Sequence, residues 1–411
     1  MKIKIAGMAG AAAIAILAPA GQALAQQQPN VQELSQRVDA LEAEVQDAQI
    51  RAAQAANAAP PAPAPGWWNN TVISGRMYFD VTNITNKSNG VKVNTATAAA
   101  TGVTNGNGTN FDIKRLYIGI DHTFNDTFSA DATTDTTYDG TTGAGQLYLK
   151  KAYLQAKIDP MLTIRVGATD LPWVPYAEGV YGYRYFENTL TEHAGFATSS
   201  DWGIHALGSF FDGILSYDVA AVNGGGYKKI PTGKDANRFG QFDYEGRISA
   251  AYEGFNAAIG GYTGKLGTAY GTPTFHTAQR LDALAGYNAN GLRVGVEWFN
   301  ATDYSAALVQ SSTAGDGASG VSTWASYYFL PEWAVFGRYD SVDPANKTAP
   351  TRHSDYYTFG ITWTPVKIID LSLAYKHEGV SHGTLGTTNG TVGGSTNGTY
   401  NEVGIWGDWQ F

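Results

Sequence analysis

From residue 71 to the C-terminus, apolar and polar side chains alternate one by one in runs of about ten residues, the length at which a tilted strand crosses a bilayer. In the first run Ile73, Met77 and Phe79 share one face, and Ser74, Arg76, Tyr78 and Asp80 share the other. The next run sets Leu116, Ile118 and Ile120 against Arg115, Tyr117 and Asp121. The same period recurs at Ala152-Leu154-Ala156-Ile158, Ile164-Val166-Ala168, Leu215-Tyr217-Val219-Ala221, Leu292-Val294-Val296-Trp298 and Leu371-Leu373-Tyr375. A period of two belongs to strands with one apolar face, not to helices.

The connections between these runs sort by length. Short turns fall at Asn125-Asp126, Asp159-Pro160, Asp212, Glu253-Gly254, Asn288 to Gly291, Leu330-Pro331-Glu332 and Pro365 to Lys367. Between them lie eight longer stretches rich in Gly, Asn, Thr and Ser, near 83–110, 137–145, 171–198, 223–240, 265–276, 302–319, 343–352 and 379–399. Seven short turns interleaved with eight long connections predict sixteen antiparallel strands with both termini at the short-turn end. That asymmetry belongs to outer-membrane barrels. Aromatics flank six of the seven turns (Phe124/Phe128, Phe210/Phe211, Tyr252/Phe255, Tyr287, Phe329/Trp333 and Trp363), as a girdle at one membrane interface requires. The expected fold is therefore all-β and transmembrane: a 16-stranded antiparallel outer-membrane β-barrel over residues 71–411, preceded by an α-helical coiled coil.

Composition agrees. Glycine (49), tyrosine (24) and tryptophan (10) are abundant, while no apolar run of 18 or more residues follows the first 25 positions. A barrel disperses its apolar face over alternate residues and needs no such run. Cysteine is absent, which removes disulfides, thiolate metal sites and cysteine nucleophiles. A formal charge of −9 argues against nucleic acid as a partner.

Ahead of the barrel the sequence changes character three times. Residues 1–25 carry Lys2 and Lys4, an apolar stretch from Ile5 to Ala18 and the small-x-small pattern Ala23-Leu24-Ala25, as an export signal does. Residues 26–58 place Val31, Leu34, Val38, Leu41, Val45, Ala48, Ala52 and Ala55 at alternating spacings of three and four, the seam of a periplasmic coiled coil. Valine at a and leucine at d lean towards two strands. Residues 59–70 form a Pro/Ala-rich linker ending in Trp67 and Trp68, indoles suited to the headgroup zone.

If the apolar strand faces meet lipid, the opposite faces line the lumen. That parity turns Arg76, Arg115, Lys151, Lys157, Arg165, Arg247, Arg280, Arg293, Arg338 and Lys376 inward as pore-lining cations. It turns Asp80, Asp121, Asp131, Asp135, Glu245, Asp282, Glu297, Asp340, Glu378 and Asp408 inward as well. These charges either pair across neighbouring strands and stiffen the wall, or leave unpaired arginines as a track for anions. Lys114 and Lys150 fall on the lipid face and are expected near the outer rim. The stretch from Asp170 to Ser199 is the candidate constriction loop. It carries Trp173, Tyr176, Tyr181, Tyr183, Tyr185 and Phe186, with Glu178, Arg184, Glu187, Glu192 and His193 among them. Alternation up to Trp409 and the terminal Phe411 matches a C-terminal signal for the barrel-assembly machinery.

The seven histidines have no metal-ligand spacing. Asp201 and His205, four apart on a strand, stand about 13 Å from each other, too far for proton transfer. No enzymatic role and no cofactor are expected.

Several segments resemble the phosphate-selective porin O and P family: FDIKRLYIGIDHTFNDTFSADATTD (111–135), YLQAKIDPMLTIRVGATDLPW (153–173), SSDWGIHALG (199–208), LSYDVAAVNGGG (215–226), VFGRYDSVDP (335–344) and the closing strand. The N-terminal heptads resemble those of dicarboxylate-type porins related to that family. The resemblance implies a homotrimer of sixteen-stranded barrels in the bacterial outer membrane, and places Arg115, Arg165 and Arg338 in matching motifs of a basic ladder. The candidate constriction departs from the family's basic pattern, with three glutamates against one arginine over 171–198. Phosphate specificity is therefore not carried over. The expected function is passive diffusion of small hydrophilic solutes, with anion preference open. The alternatives are a channel selective for organic anions or sugars, and a structural barrel that tethers the envelope.

Overall fold

The computed structural model describes residues 31–57, 66–93, 107–138, 145–228, 241–268, 273–313 and 315–411. The proposed export signal and most of the Pro/Ala linker lie outside these residues. The chain divides into two units, residues 1–66 and 67–411.

In the first unit, helix α1 runs Val31–Asn57. Its seam side chains Val38, Leu41 and Val45 are exposed in the single chain, and Arg51 pairs with Asp47 one turn before it. The side chains of Val31, Leu34, Ala52 and Ala55 lie outside the described residues. No described helix is long and apolar enough to cross a membrane.

The second unit is a closed antiparallel sheet of sixteen barrel strands. Its first four are β1 (Thr71–Ser88), β2 (Gly108–Thr123), β3 (Phe128–Tyr138) and β4 (Gly145–Asp159). Then come β5 (Leu162–Asp170), β6 (Ser200–Phe210), β7 (Leu215–Val222) and β8 (Asp243–Tyr252). The third group is β9 (Phe255–Gly264), β10 (Ala278–Ala289), β11 (Leu292–Thr302) and β12 (Gly317–Leu330). The last is β13 (Trp333–Asp343), β14 (His353–Val366), β15 (Ile369–Thr387) and β16 (Gly390–Gln410). A two-residue strand at Val91–Lys92 folds back and pairs antiparallel with the end of β1. Strand β1 pairs with β16 from Arg76↔Gln410 to Ser88↔Gly398, which closes the barrel and leaves no free edge.

The alternation sorts by face as the sequence predicts. Ile73, Val81, Ile120, Leu154, Val166, Ile259, Val335, Leu373 and Ile405 point outward and are exposed. Asp80, Asp135, Glu245, Asp282, Glu297, Asp340 and Glu378 are buried on the inner face. At the short-turn end, aromatic pairs encircle the barrel, with Phe255 and Tyr287 at 4.7 Å and Trp333 stacked on Trp363 at 5.8 Å. The terminal Phe411 exchanges backbone hydrogen bonds with Gly75, and its ring lies where a Gly75 side chain would be.

Two expectations are corrected. Lys114 and Lys150 do not face lipid. The β1–β2 register shifts between Tyr78 and Phe79, and the β3–β4 register shifts between Thr133 and Thr134, so each lysine is the extra residue of a β-bulge. A bulge lets two consecutive side chains share a face. Lys114 therefore joins Arg115, and Lys150 joins Lys151, inside the barrel. The stretch 379–399 is not a long loop either. Strands β15 and β16 continue through it as an extended hairpin, with only Thr388 and Asn389 between them. The Asn389-Gly390 dipeptide, with Gly390 at φ +89°, supplies the turn.

Candidate functional site: the constricted lumen

The connection from β5 to β6 folds into the barrel. It contains helix α2 (Val174–Tyr181) and a short helix α3 (Leu190–His193). Pro175 sits at the start of α2, where its missing N–H costs nothing, and Gly182 at φ +81° ends the helix by donating to Glu178 O. Val174, Ala177, Val180 and Tyr181 make one apolar face of α2, and all are buried. They meet an apolar shelf on the inner wall built from Ala258, Leu284, Trp324, Phe336, Ala374, Trp406 and Tyr78. Tyr183 stacks on Phe336 at 4.5 Å, and Tyr181 meets Trp324 edge-on at 5.6 Å. Phe186 meets Trp406 edge-on at 4.6 Å, and Tyr185 shares a 2.6 Å hydrogen bond with Ser372. Fully burying each such ring contributes on the order of 2 kcal/mol, which is ample to draw the segment inward.

Five of the ten cations that parity turns inward hold this loop by its backbone. Arg247 donates to Pro172 O at 2.7 Å, Arg280 to Phe196 O at 2.9 Å, and Arg293 to Tyr181 O at 3.2 Å. Arg338 donates to Asn188 O, and Lys376 to Phe186 O at 3.1 Å. They stand on β8, β10, β11, β13 and β15, so the loop is fastened along half of the barrel circumference. Arg247 also lies 4.1 Å from the ring centre of Tyr176. Wall acids take the loop's N–H groups: Glu245 accepts from Trp173 N at 3.0 Å, while Glu297 accepts from Trp173 Nε1 at 3.0 Å and Leu190 N at 3.2 Å. Arg280, Arg338, Lys376, Glu245 and Glu297 are buried beneath the loop, while Arg247 and Arg293 stay half-buried.

The loop's own charges are all engaged. Arg184 pairs with Glu178 and, at 3.4 Å, with Glu192. Glu187 pairs with Lys376 at 3.0 Å, and Lys376 also stands 3.4 Å from Glu402. His193 Nδ1 lies 3.3 Å from Glu187 and Nε2 lies 3.5 Å from Glu378. Burial alone pushes the Glu187 carboxyl up, but Lys376 and His193 reverse this and hold it well below the usual carboxylate range.

The remaining predicted pore-lining cations lie on the other side of the lumen or near it. Arg76 pairs with Asp408 at 2.6 Å, Arg115 with Asp135 at 2.7 Å and Lys151 with Asp170 at 3.2 Å. Arg165 takes a neutral acceptor, Gln155 Oε1, at 2.8 Å. Lys157 is exposed and has no ion pair among the described residues. Between this wall and the loop a cavity of about 370 Å³ remains, lined by Arg76, Tyr117, Asp121, Asp131, Lys150 and the loop residue Arg184 among others.

Parity and loop composition left two parts of this lumen unread. Lys114 and Lys150 were hidden by the bulges. Lys114 reaches Phe186 O at 3.5 Å, and Lys150 lies 4.7 Å from the Tyr117 ring centre. The apolar shelf was missed although it left a signal: Trp324, Phe336 and Trp406 occupy the polar parity of their strands. Asp201 and His205 do not meet. His205 faces Asp218 on β7 at 3.3 Å, and Asp201 accepts from Trp202 N.

No family profile and no curated protein match this sequence. Solved structures do match. The anion-selective porin from Comamonas acidovorans superposes with a TM-score of 0.58 at 13% sequence identity, over 83% of this chain and 99% of that one. The outer membrane channel DcaP of Acinetobacter baumannii gives 0.57 at 12%, over 83% of this chain and 97% of that one. The trimer form of OmpT, an outer membrane protein of Vibrio cholerae, gives 0.56 at 11%, over 83% of this chain and 99% of that one. At such identities likeness establishes the fold, and the fold of this chain is that of the outer-membrane porins.

Proposed function

We propose that this chain is an outer-membrane porin, a passive diffusion channel for small hydrophilic solutes. The observation that carries this reading is the inward loop, which narrows the barrel without filling it. It seals against the wall from β8 round to β1 and leaves a polar cavity beside β1–β4. Transport of this kind needs no cofactor and no catalytic group, because pore width and lining charge select the solute. The chain is placed in the bacterial outer membrane as a homotrimer, with α1 in the periplasm and Trp409 and Phe411 presented to the assembly machinery. The similarity to a trimeric solved barrel supports the trimer, and the heptads of α1 permit it.

A narrower selectivity, for organic anions, is favoured by the cations that lack a carboxylate partner within 4 Å among the described residues: Lys114, Lys150, Lys157, Arg165, Arg247 and Arg293. Kinship with the phosphate-selective porin O and P family rests on the motifs at 111–135 and 153–173 and on the closing strand. Planar-bilayer recording of the refolded protein in a salt gradient tests the main reading. Openings in steps of three support a trimeric porin, and the sign of the reversal potential reads its ion preference. A folded trimer that never conducts refutes it in favour of a tethering barrel. Deleting residues 26–66 should leave a porin conducting.

A further inference from the structure

The cavity beside β1–β4 carries both signs of charge, and its pairing is uneven. Four cations line it. Arg76 is neutralised by Asp408, Arg184 by Glu178 and Glu192, and Lys151 by Asp170. Lys150 has no carboxylate within 4 Å among the described residues. Its ammonium rests against Tyr117, 3.3 Å from the hydroxyl, and the residue is only 7% exposed. Four acids line the same cavity, and two of them, Asp170 and Glu178, are the partners just named. The other two, Asp121 and Asp131, are register partners directly across β2 and β3. Neither has a basic group at ion-pair distance among the described residues, and Asp131 accepts a hydrogen bond from Thr133 Oγ1 at 3.1 Å.

Two like charges facing each other across a strand pair destabilise the sheet unless a cation joins them. The Lys150 bulge lies at the level of Thr133 and Thr134, and Asp131 lies two residues nearer the short-turn end. At the strand rise this separates the two levels by about 7 Å. A cation without an ion pair thus faces the cavity at one level, and at the next a carboxylate pair shares the field of Lys151, which is itself paired with Asp170. The Tyr78 and Tyr117 rings, edge to face at 5.7 Å, provide an apolar wall alongside. The volume falls within the roughly 300–1,000 Å³ of small-molecule sites.

Building on the porin reading, we propose that this cavity is a binding subsite for small zwitterions of the amino-acid kind. The solute carboxylate meets Lys150 and its ammonium meets Asp121 and Asp131. A simple anion is drawn to Lys150 and repelled by the aspartates, and a simple cation meets the reverse. Only a solute carrying both charges a few bonds apart satisfies both levels.

Swelling of liposomes that contain the full-length protein tests this, with glutamine as the zwitterion and arabinose as an uncharged solute of similar mass. The ratio of their entry rates is the readout. Lys150→Gln and the double variant Asp121→Asn/Asp131→Asn should each lower that ratio about two- to fivefold, the size of losing one modest charge contact. Lys150→Arg should preserve it. An unchanged ratio in both charge-removing variants overturns the proposal. So does a ratio that falls in Lys150→Gln but rises in the double variant, since that pattern belongs to a site for anions. Absence of arabinose entry in the unsubstituted protein would count against the porin reading instead.

Discussion

His193 of the inward loop stands 3.5 Å from Glu378 of β15, and its other ring nitrogen lies 3.3 Å from Glu187. Its Nδ1 also shares a 2.6 Å hydrogen bond with Thr388 Oγ1, and only the charged imidazole holds both carboxylates at once. Burial pulls its pKa down, but the two carboxylates outweigh burial and raise it from 6.5 to about 10. A base raised on folding stabilises the folded state fully below its unfolded pKa and loses that contribution as pH rises through the folded value. The contribution of His193 is thus complete below pH 6.5 and fades towards about 10. Glu187 works in the opposite direction, its contribution present above 4.5 and lost at lower pH. Single-channel recording between these upper limits should show flicker growing with pH in the unsubstituted protein. His193→Gln should flicker throughout that window with little further pH dependence.

Lys376 is completely buried and is the only cation at ion-pair distance from Glu402 among the described residues. Lys376→Met leaves Glu187 and Glu402 without it, and stranding buried carboxylates costs about 3–5 kcal/mol. Thermal unfolding followed by heat-dependent gel mobility should drop. Adding Glu187→Leu should recover part of the loss.

Trp173 is fully buried and joins the loop to both Glu245 and Glu297. Trp173→Ala removes about 3–5 kcal/mol of packing from the loop, while the strand ladders that close the barrel stay intact. The outcome expected is a folded channel with higher conductance and a larger size limit in sugar swelling.

At Gly182 an added Cβ would fall 1.0 Å from Arg293 Nη1, at a φ of +81°. Gly182→Ala must displace Arg293 from Tyr181 O and strain the end of α2, at a cost of about 1 kcal/mol. Conductance noise should rise more than in Gly179→Ala, because position 179 is open.

Lys114 and Lys150 face the lumen in spite of their sequence parity, whereas Lys157 lies two residues from the turn at Asp159. Lys114→Gln should therefore move the reversal potential towards cations further than Lys157→Gln does. Equal shifts would place Lys114 away from the conducting path.

How far the sequence could be read differs between the wall and its contents. The wall was legible because a strand's faces follow from its own residues, so Ile73 and Arg76, or Leu373 and Lys376, declare opposite sides locally. Residues 379–399 misled because Gly, Thr, Ser and Asn are loop formers in composition yet alternate well enough to extend β15 and β16. The aromatic density of 171–198 pointed to an inward loop, but nothing local could say which wall it would meet. Trp324, Phe336 and Trp406, which receive it, come from three separate strands.

By itself, then, the sequence determined a sixteen-stranded barrel, its apolar exterior and the charged parity of its interior, because a period of two is a property of neighbouring residues. Only the tertiary structure decided which of those charges meet water. Arg280, Arg338 and Lys376 became anchors beneath a loop, and the bulges at Lys114 and Lys150 turned two lysines into the lumen. Both outcomes depend on register and on packing between segments far apart in the chain, where a one-residue shift exchanges lipid for lumen.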